Sequence, residues 1–212
     1  EARAQVEYLT SSASASALTT FDGQSDTRSS ANFTAFVDTA SLSTNFPLVG
    51  GGLGVNRATT GIDCQLDPNS VNVTGSMIGA GGVSLVAGVQ AQQMGECAAA
   101  VDVNFRITAL TDFSLIALPR DSARPTDRYK VKLKNDTTNQ VLLDVSEDDP
   151  AQLVMLIGQL APGDYALEYE VQLVVDNAQA ERQFGLTLAL PSPGAAAWGL
   201  AIGLGASRRR RR

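Results

Sequence analysis

Side-chain chemistry starts from groups that can carry a proton, an electron pair or a metal, and this chain is short of them. It contains no histidine at all. Ser/His/Asp and Cys/His relays are therefore excluded in their usual form, and so is any Cys/His metal pattern. Carboxylates remain. Glu168 and Glu170 sit two apart in an alternating stretch, so they share one face, the solvated one opposite Tyr169 and Val171. Glycoside hydrolysis needs two carboxylates flanking a sugar, and two on one face do not supply that. Asp144, Glu147, Asp148 and Asp149 gather oxygen ligands around one turn, which makes Ca²⁺ the only cofactor with a place in the sequence. The Asp-x-Asp-x-Asp-Gly pattern is missing, and a solvated acidic turn is the plainer reading. We expect neither a metal nor an enzyme. Gly50-Gly51-Gly52-Leu53-Gly54 lacks a following Gly-Lys-Ser/Thr, so it reads as a flexible loop and not as a phosphate cradle. Asn32, Asn72 and Asn135 each open an Asn-x-Thr sequon, a chance match in this reading.

The elements that would position these groups are short strands. Ala98 to Ala109 puts Val101, Val103, Phe105 and Ile107 on one face and Asp102, Asn104 and Arg106 on the other. Tyr129 to Lys134 alternates strictly, with its lysines toward solvent, where they also discourage edge pairing. A turn at 135–140 leads to a hairpin partner, Gln140 to Val145. Tyr165, Leu167, Tyr169, Val171, Leu173 and Val175 alternate over eleven residues. Strand composition also marks 5–16, 30–38, 70–76, 82–90, 113–118, 153–157 and 182–190. Phe33, Phe36 and Val37 are core candidates, Asp22 to Ser30 is a polar loop, and Gly79 to Gly82 is hairpin-like. Leu160-Ala161-Pro162-Gly163-Asp164-Tyr165 has the layout of a tyrosine corner, in which Tyr165 OH bonds a backbone group just upstream. About ten strands with frequent turn signals predict an all-β fold, an antiparallel β-sandwich of jelly-roll or Ig-like type over residues 1–190.

Charge narrows the partners. Formal net charge is −6, and five of the sixteen cations sit in the final run, Arg208 to Arg212. The rest of the chain is more acidic still, which argues against nucleic acid. Glu1-Ala2-Arg3-Ala4 has no apolar leader, so an export leader is taken as already removed.

Residues 191–212, PSPGAAAWGLAIGLGASRRRRR, form a separate region. A Pro191-Ser192-Pro193 break comes first, then an apolar run from Ala195 to Ala206, then Arg208, Arg209, Arg210, Arg211 and Arg212. The run is shorter than the roughly 20 residues of a full membrane span, so a short hydrophobic helix with shallow, transient insertion is expected. The arginines would stay cytoplasmic and leave residues 1–190 outside.

This order of break, apolar run and basic cluster resembles the PEP-CTERM sorting signals of exosortase-bearing bacteria, with Pro191-Ser192-Pro193 where the family commonly carries Pro-Glu-Pro. The resemblance implies an exosortase-like sorting transpeptidase as partner, a cut near Ser192, and a mature domain at the cell surface or in the extracellular matrix. Val103-Asn104-Phe105 and Leu160 to Tyr165 also look like strands that recur in the sandwich portion of such secreted proteins. In an exported protein Cys64 and Cys97 read as one disulfide. Closing that loop would stabilise the fold by roughly 3–4 kcal/mol. The function expected is structural or adhesive, with envelope polysaccharide or self-association as the contact. The alternative is a carbohydrate-binding module, which rests on fold analogy. Exposed coplanar aromatics would favour it, and Tyr129 with Trp198 is a thin set.

Overall fold

The computed structural model describes residues 6–19, 24–47, 53–86, 89–119, 128–146, 153–175 and 179–190. The sorting tail expected at 191–212, its short helix, and Glu147, Asp148 and Asp149 lie outside the described residues. Fourteen strands are present among them. They are β1 Val6–Thr19, β2 Ser25–Ala31, β3 Ala35–Pro47, β4 Leu53–Asp67, β5 Ser70–Ala80, β6 Gly82–Val86, β7 Val89–Gln93, β8 Gly95–Ile107, β9 Thr111–Pro119, β10 Arg128–Asn135, β11 Gln140–Ser146, β12 Val154–Leu160, β13 Gly163–Val175 and β14 Gln179–Ala189.

Two six-stranded antiparallel sheets stack into a sandwich. The first has the order β11-β10-β13-β8-β1-β2 and the second β12-β9-β14-β5-β4-β3, while β6 and β7 form a hairpin of their own. Across the interior β1 lies against β3 and β4, β8 against β4 and β5, and β13 against β5 and β14. From β8 onward the chain changes sheet at every connection except the β10–β11 hairpin. Most sheet neighbours are therefore far apart in sequence.

Alternation explains why these strands pair as they do. Val101, Val103, Phe105 and Ile107 on β8 are all buried, and so are Tyr165, Leu167, Tyr169 and Leu173 on the adjacent β13. A one-residue slip would turn each of these sets to water. Phe105 stacks on Tyr165 with centroids 5.6 Å apart, and Tyr169 meets Tyr129 edge-on at 5.8 Å and Phe184 at 6.2 Å. The tyrosine corner is present: Tyr165 OH donates to the Ala161 carbonyl at 2.8 Å and fixes the turn into β13. Gly163, at φ +156°, occupies a backbone region that side-chain-bearing residues avoid, and a Cβ there would lie 3.1 Å from Thr137 Oγ1.

Several local expectations change. The polar stretch 22–30 contains β2, because its backbone pairs with β1 from Ser12↔Ala31 to Leu18↔Ser25. A polar strand suits the edge of a sheet, where neither face is deeply buried. Val37 is 69% exposed because it alternates with Phe36, which points inward. Gly79–Gly82 is not a hairpin between two sandwich strands. β5 runs through Ala80 beside β4 and β14, and 82–93 folds back on itself as β6–β7. The lysines of β10 guard no edge, since β11 and β13 flank that strand on both sides.

The expected disulfide is overturned. Cys64 on β4 and Cys97 on β8 are free, and both are fully buried. Cys97 Sγ lies 3.5 Å from the Thr59 carbonyl and 3.4 Å from that of Ile78. Thr59 is five residues from Cys64 on the same extended strand, about 16 Å away at ~3.3 Å per residue. A disulfide needs Cα atoms within about 7 Å. Burial pushes the Cys64 thiol up to about 12, reinforced by the Asp63 charge. Burial likewise raises Cys97. Both are therefore inert, protonated core groups.

Candidate functional site

The outer face of the first sheet carries the best-formed depression. Pairing registers place its residues in rows across the strands. One row runs Ser29, Ser14, Ala100, Glu170, Lys130, Ser146, and the next runs Thr27, Ser16, Ala98, Gln172, Arg128. Along β8 the outward positions read Glu96, Ala98, Ala100, Asp102. Two alanines between two acids leave a dip, and the serines of β1 continue it. The result is a groove of about 500 Å³ lined by Ser14, Ser16, Ala98, Ala100, Arg128, Lys130, Glu170 and Gln172. A shallower hollow beside it involves Ser12, Ser29, Ala31 and Asp102.

Most charges here are already satisfied. Lys130 Nζ pairs with Glu168 Oε2 at 2.5 Å. Gln172 Nε2 donates to Glu96 Oε1 at 2.6 Å, and Ser12 Oγ donates to Asp102 Oδ2 at 3.3 Å. Lys132 lies 4.0 Å from Asp144 and Lys134 2.9 Å from Asp136. Further along the face, Arg106 forms a fork to Asp164 at 2.7 and 3.2 Å. Burial raises the Asp102 carboxyl, Glu168 and Glu170 add to the rise, and Ser12 and Lys130 oppose it. The hydrogen bond to Glu168 raises Lys130. Glu170 lies opposite Lys130 and adds to its rise by charge, while Arg128 makes no ion pair among the described residues.

Glu168 and Glu170 do share the solvated face, as their spacing predicts, and Glu168 is tied up by Lys130. Among the described residues no second carboxylate faces them across a cleft, because the acids around them project from the same sheet. Asp144 is on β11 facing Lys132. Among the described residues no group of three His, Cys, Asp or Glu is arranged to hold a metal ion. Pro191, Ser192, Pro193 and the five arginines lie outside the described residues, as does Trp198. Tyr129 is buried in the core, so it offers no surface for stacking. The aromatic side chains that the structure describes are buried, apart from half-buried Tyr8. Sequence reasoning missed the groove because its floor is made of alanine and serine. The one available signal was the spacing Glu96-x-Ala98-x-Ala100-x-Asp102.

No family model matches the chain, and no curated protein matches it. Among solved structures it is similar to the GH31 α-xylosidase Xac1773 of Xanthomonas citri, at 7% identity and a TM-score of 0.21. That match covers 72% of this chain and only 28% of the xylosidase. It is also similar to a carbohydrate-binding module of the β-sandwich superfamily, at 8% identity and a TM-score of 0.21, covering 87% of this chain and 84% of that one.

Proposed function

We propose that the chain is an exported β-sandwich, delivered to the cell surface or surrounding matrix by a sorting tail at 191–212, where it has a structural or adhesive role. One observation carries this reading. The last described strand, β14, is anchored into the sandwich right up to the tail motif. Leu190 is buried and its N–H donates to the Asn69 carbonyl at 2.7 Å, one residue before Pro191. A cut near Ser192 would then leave every strand among the described residues intact. The test is the intact mass of the protein recovered from its native envelope or medium. A mass ending between Pro191 and Gly194, with both thiols reduced, supports the reading. A full-length mass with all five arginines in place sinks it.

A second reading, a carbohydrate-binding module, is favoured by the groove on the first sheet. Its volume lies within the range of small-ligand sites, and its lining mixes polar and apolar surface, with Lys130 held by Glu168 and Gln172 by Glu96. Binding of the full chain to immobilised envelope polysaccharide tests it, and an absence of retention removes it.

A further inference from the structure

We propose that the groove binds a linear, uncharged polysaccharide lying across the strands of the first sheet, a proposal that rests on the second reading above. The groove crosses β1, β8, β13 and β10 at one level, so it is elongated perpendicular to the strands. Four strands at ~4.8 Å spacing give it a length of ~14 Å between outer strand axes, enough for an extended polymer and open at its ends.

Charge fixes the polymer's character. Within the lining, Lys130 is bonded to Glu168 and faces Glu170 as well, and Arg128 makes no ion pair among the described residues, so the groove presents both signs of charge. Gln172 lies opposite Arg128, and Glu170 opposite Lys130, on the neighbouring strand. Arg128 and Glu170 are thus diagonal neighbours. A hydroxyl can accept from a guanidinium and donate to a carboxylate, so a polyol satisfies both. A polyuronate would meet Glu170 and the acids behind it, Asp102 and Glu168. A polyamine would meet Arg128 and Lys130. An extended peptide fits less well, because it gains its affinity from main-chain pairing at a sheet edge. A sheet face has its backbone groups already spent on its own ladders. Recognition rests on hydrogen bonds donated by Arg128 and Gln172 and accepted by Glu170 over the Ser14/Ala98/Ala100 floor, so it is weak and insensitive to salt.

The experiment is affinity electrophoresis and calorimetry of the full chain with a soluble neutral β-glucan, alginate and chitosan, at low and high salt. The expected result is retention by the neutral glucan alone, unchanged by salt. Glu170→Gln, which removes one acceptor charge at an exposed position, should weaken retention about tenfold. Ala100→Phe fills the floor and should abolish retention, with an unchanged circular dichroism spectrum as the check on folding. Three outcomes overturn the proposal: preference for alginate or chitosan, salt-sensitive retention, or undiminished binding by both variants. In those cases the module reading itself survives. If none of the three polymers is retained, both fall together.

Discussion

Two regions of one sandwich solve the packing problem in opposite ways. Where β1 and the first half of β8 face β3, β4 and β5, the interior is built from Ala13, Ala15, Ala17, Ala40, Ala58 and Ala99, all buried. Small side chains let the sheets approach until they hydrogen-bond directly. Thr60 Oγ1 donates to the Ser16 carbonyl at 2.7 Å, and Cys97 reaches the carbonyls of Thr59 and Ile78. Where the second half of β8, β13 and β10 face β9 and β14, the interior is aromatic and aliphatic, with Phe105, Tyr129, Tyr165, Tyr169, Phe113 and Phe184. The difference teaches that the first region owes its stability to close backbone approach and the second to large buried area. Mutations should therefore fail differently in the two. Adding atoms should wreck the first, and removing atoms should wreck the second.

The largest effect is expected at Gly95. A Cβ there would lie 2.1 Å from the Arg57 carbonyl oxygen and 2.9 Å from that of Ala80, both rigid backbone atoms. Gly95→Ala should therefore cost about 3 kcal/mol or more, read as a lower midpoint in urea or no cooperative transition at all. If the variant unfolds like the parent, the account of the thin region is wrong. In the thick region the counterpart is Tyr169→Ala, which opens a cavity and should cost about 3–5 kcal/mol. Tyr169→Phe should cost far less, because its hydroxyl reaches Gly185 O at only 3.4 Å.

The two regions were not equally legible in the sequence. The thick one was, because Val101 to Ile107 and Tyr165 to Val175 alternate in residues whose hydrophobicity cannot be mistaken. The tyrosine corner was readable for the same reason, since Leu-x-Pro-Gly-x-Tyr fixes both a turn and a hydroxyl. The thin one was not. Alanine, serine and glycine carry little strand propensity, so β2 reads as loop and the start of β4 as part of a glycine-rich loop. What makes these residues a core is the proximity of the other sheet, which no local window contains. The cysteine expectation failed in the same way. Two cysteines suggest a bridge, but only the packing of β8 across β4, which sets Cys97 against Thr59, shows that they sit at different levels. The groove shared this fate, because its floor consists of residues chosen for what they lack.

Smaller effects sharpen the comparison. Two buried tyrosines of the thick region differ in one respect: Tyr165 OH has the Ala161 carbonyl, whereas Tyr129 OH has no hydrogen-bond partner. Tyr165→Phe should cost about 1 kcal/mol. Tyr129→Phe should leave stability unchanged or raise it, since it removes a buried hydroxyl without a bond. Equal losses from the two substitutions would mean that the corner bond contributes nothing. The thiols give a further readout. With Cys64 pushed up to about 12 and Cys97 raised by burial, neither should react with a thiol reagent in the native protein, and both should react in denaturant. Rapid labelling under native conditions would contradict the burial of β4 and β8.

The smallest effect concerns the acid beside the groove. Burial holds the folded-state carboxyl of Asp102 above its ordinary value, with Glu168 and Glu170 adding to the rise. A carboxyl that binds its proton more tightly when folded contributes stability below its unfolded pKa and loses it as pH rises through the folded value. The groove side of the first sheet should therefore be slightly strained at neutral pH. Asp102→Asn removes that ionisation while keeping the acceptor for Ser12. Its urea midpoint should exceed the parent's at neutral pH, and the gap should close as the solution is acidified through the carboxylate range. The opposite sign, a variant weaker at neutral pH, would mean that the ionised Asp102 is held by Lys130 and Ser12 more strongly than burial penalises it. The charges of this face would then stabilise the sheet at neutral pH.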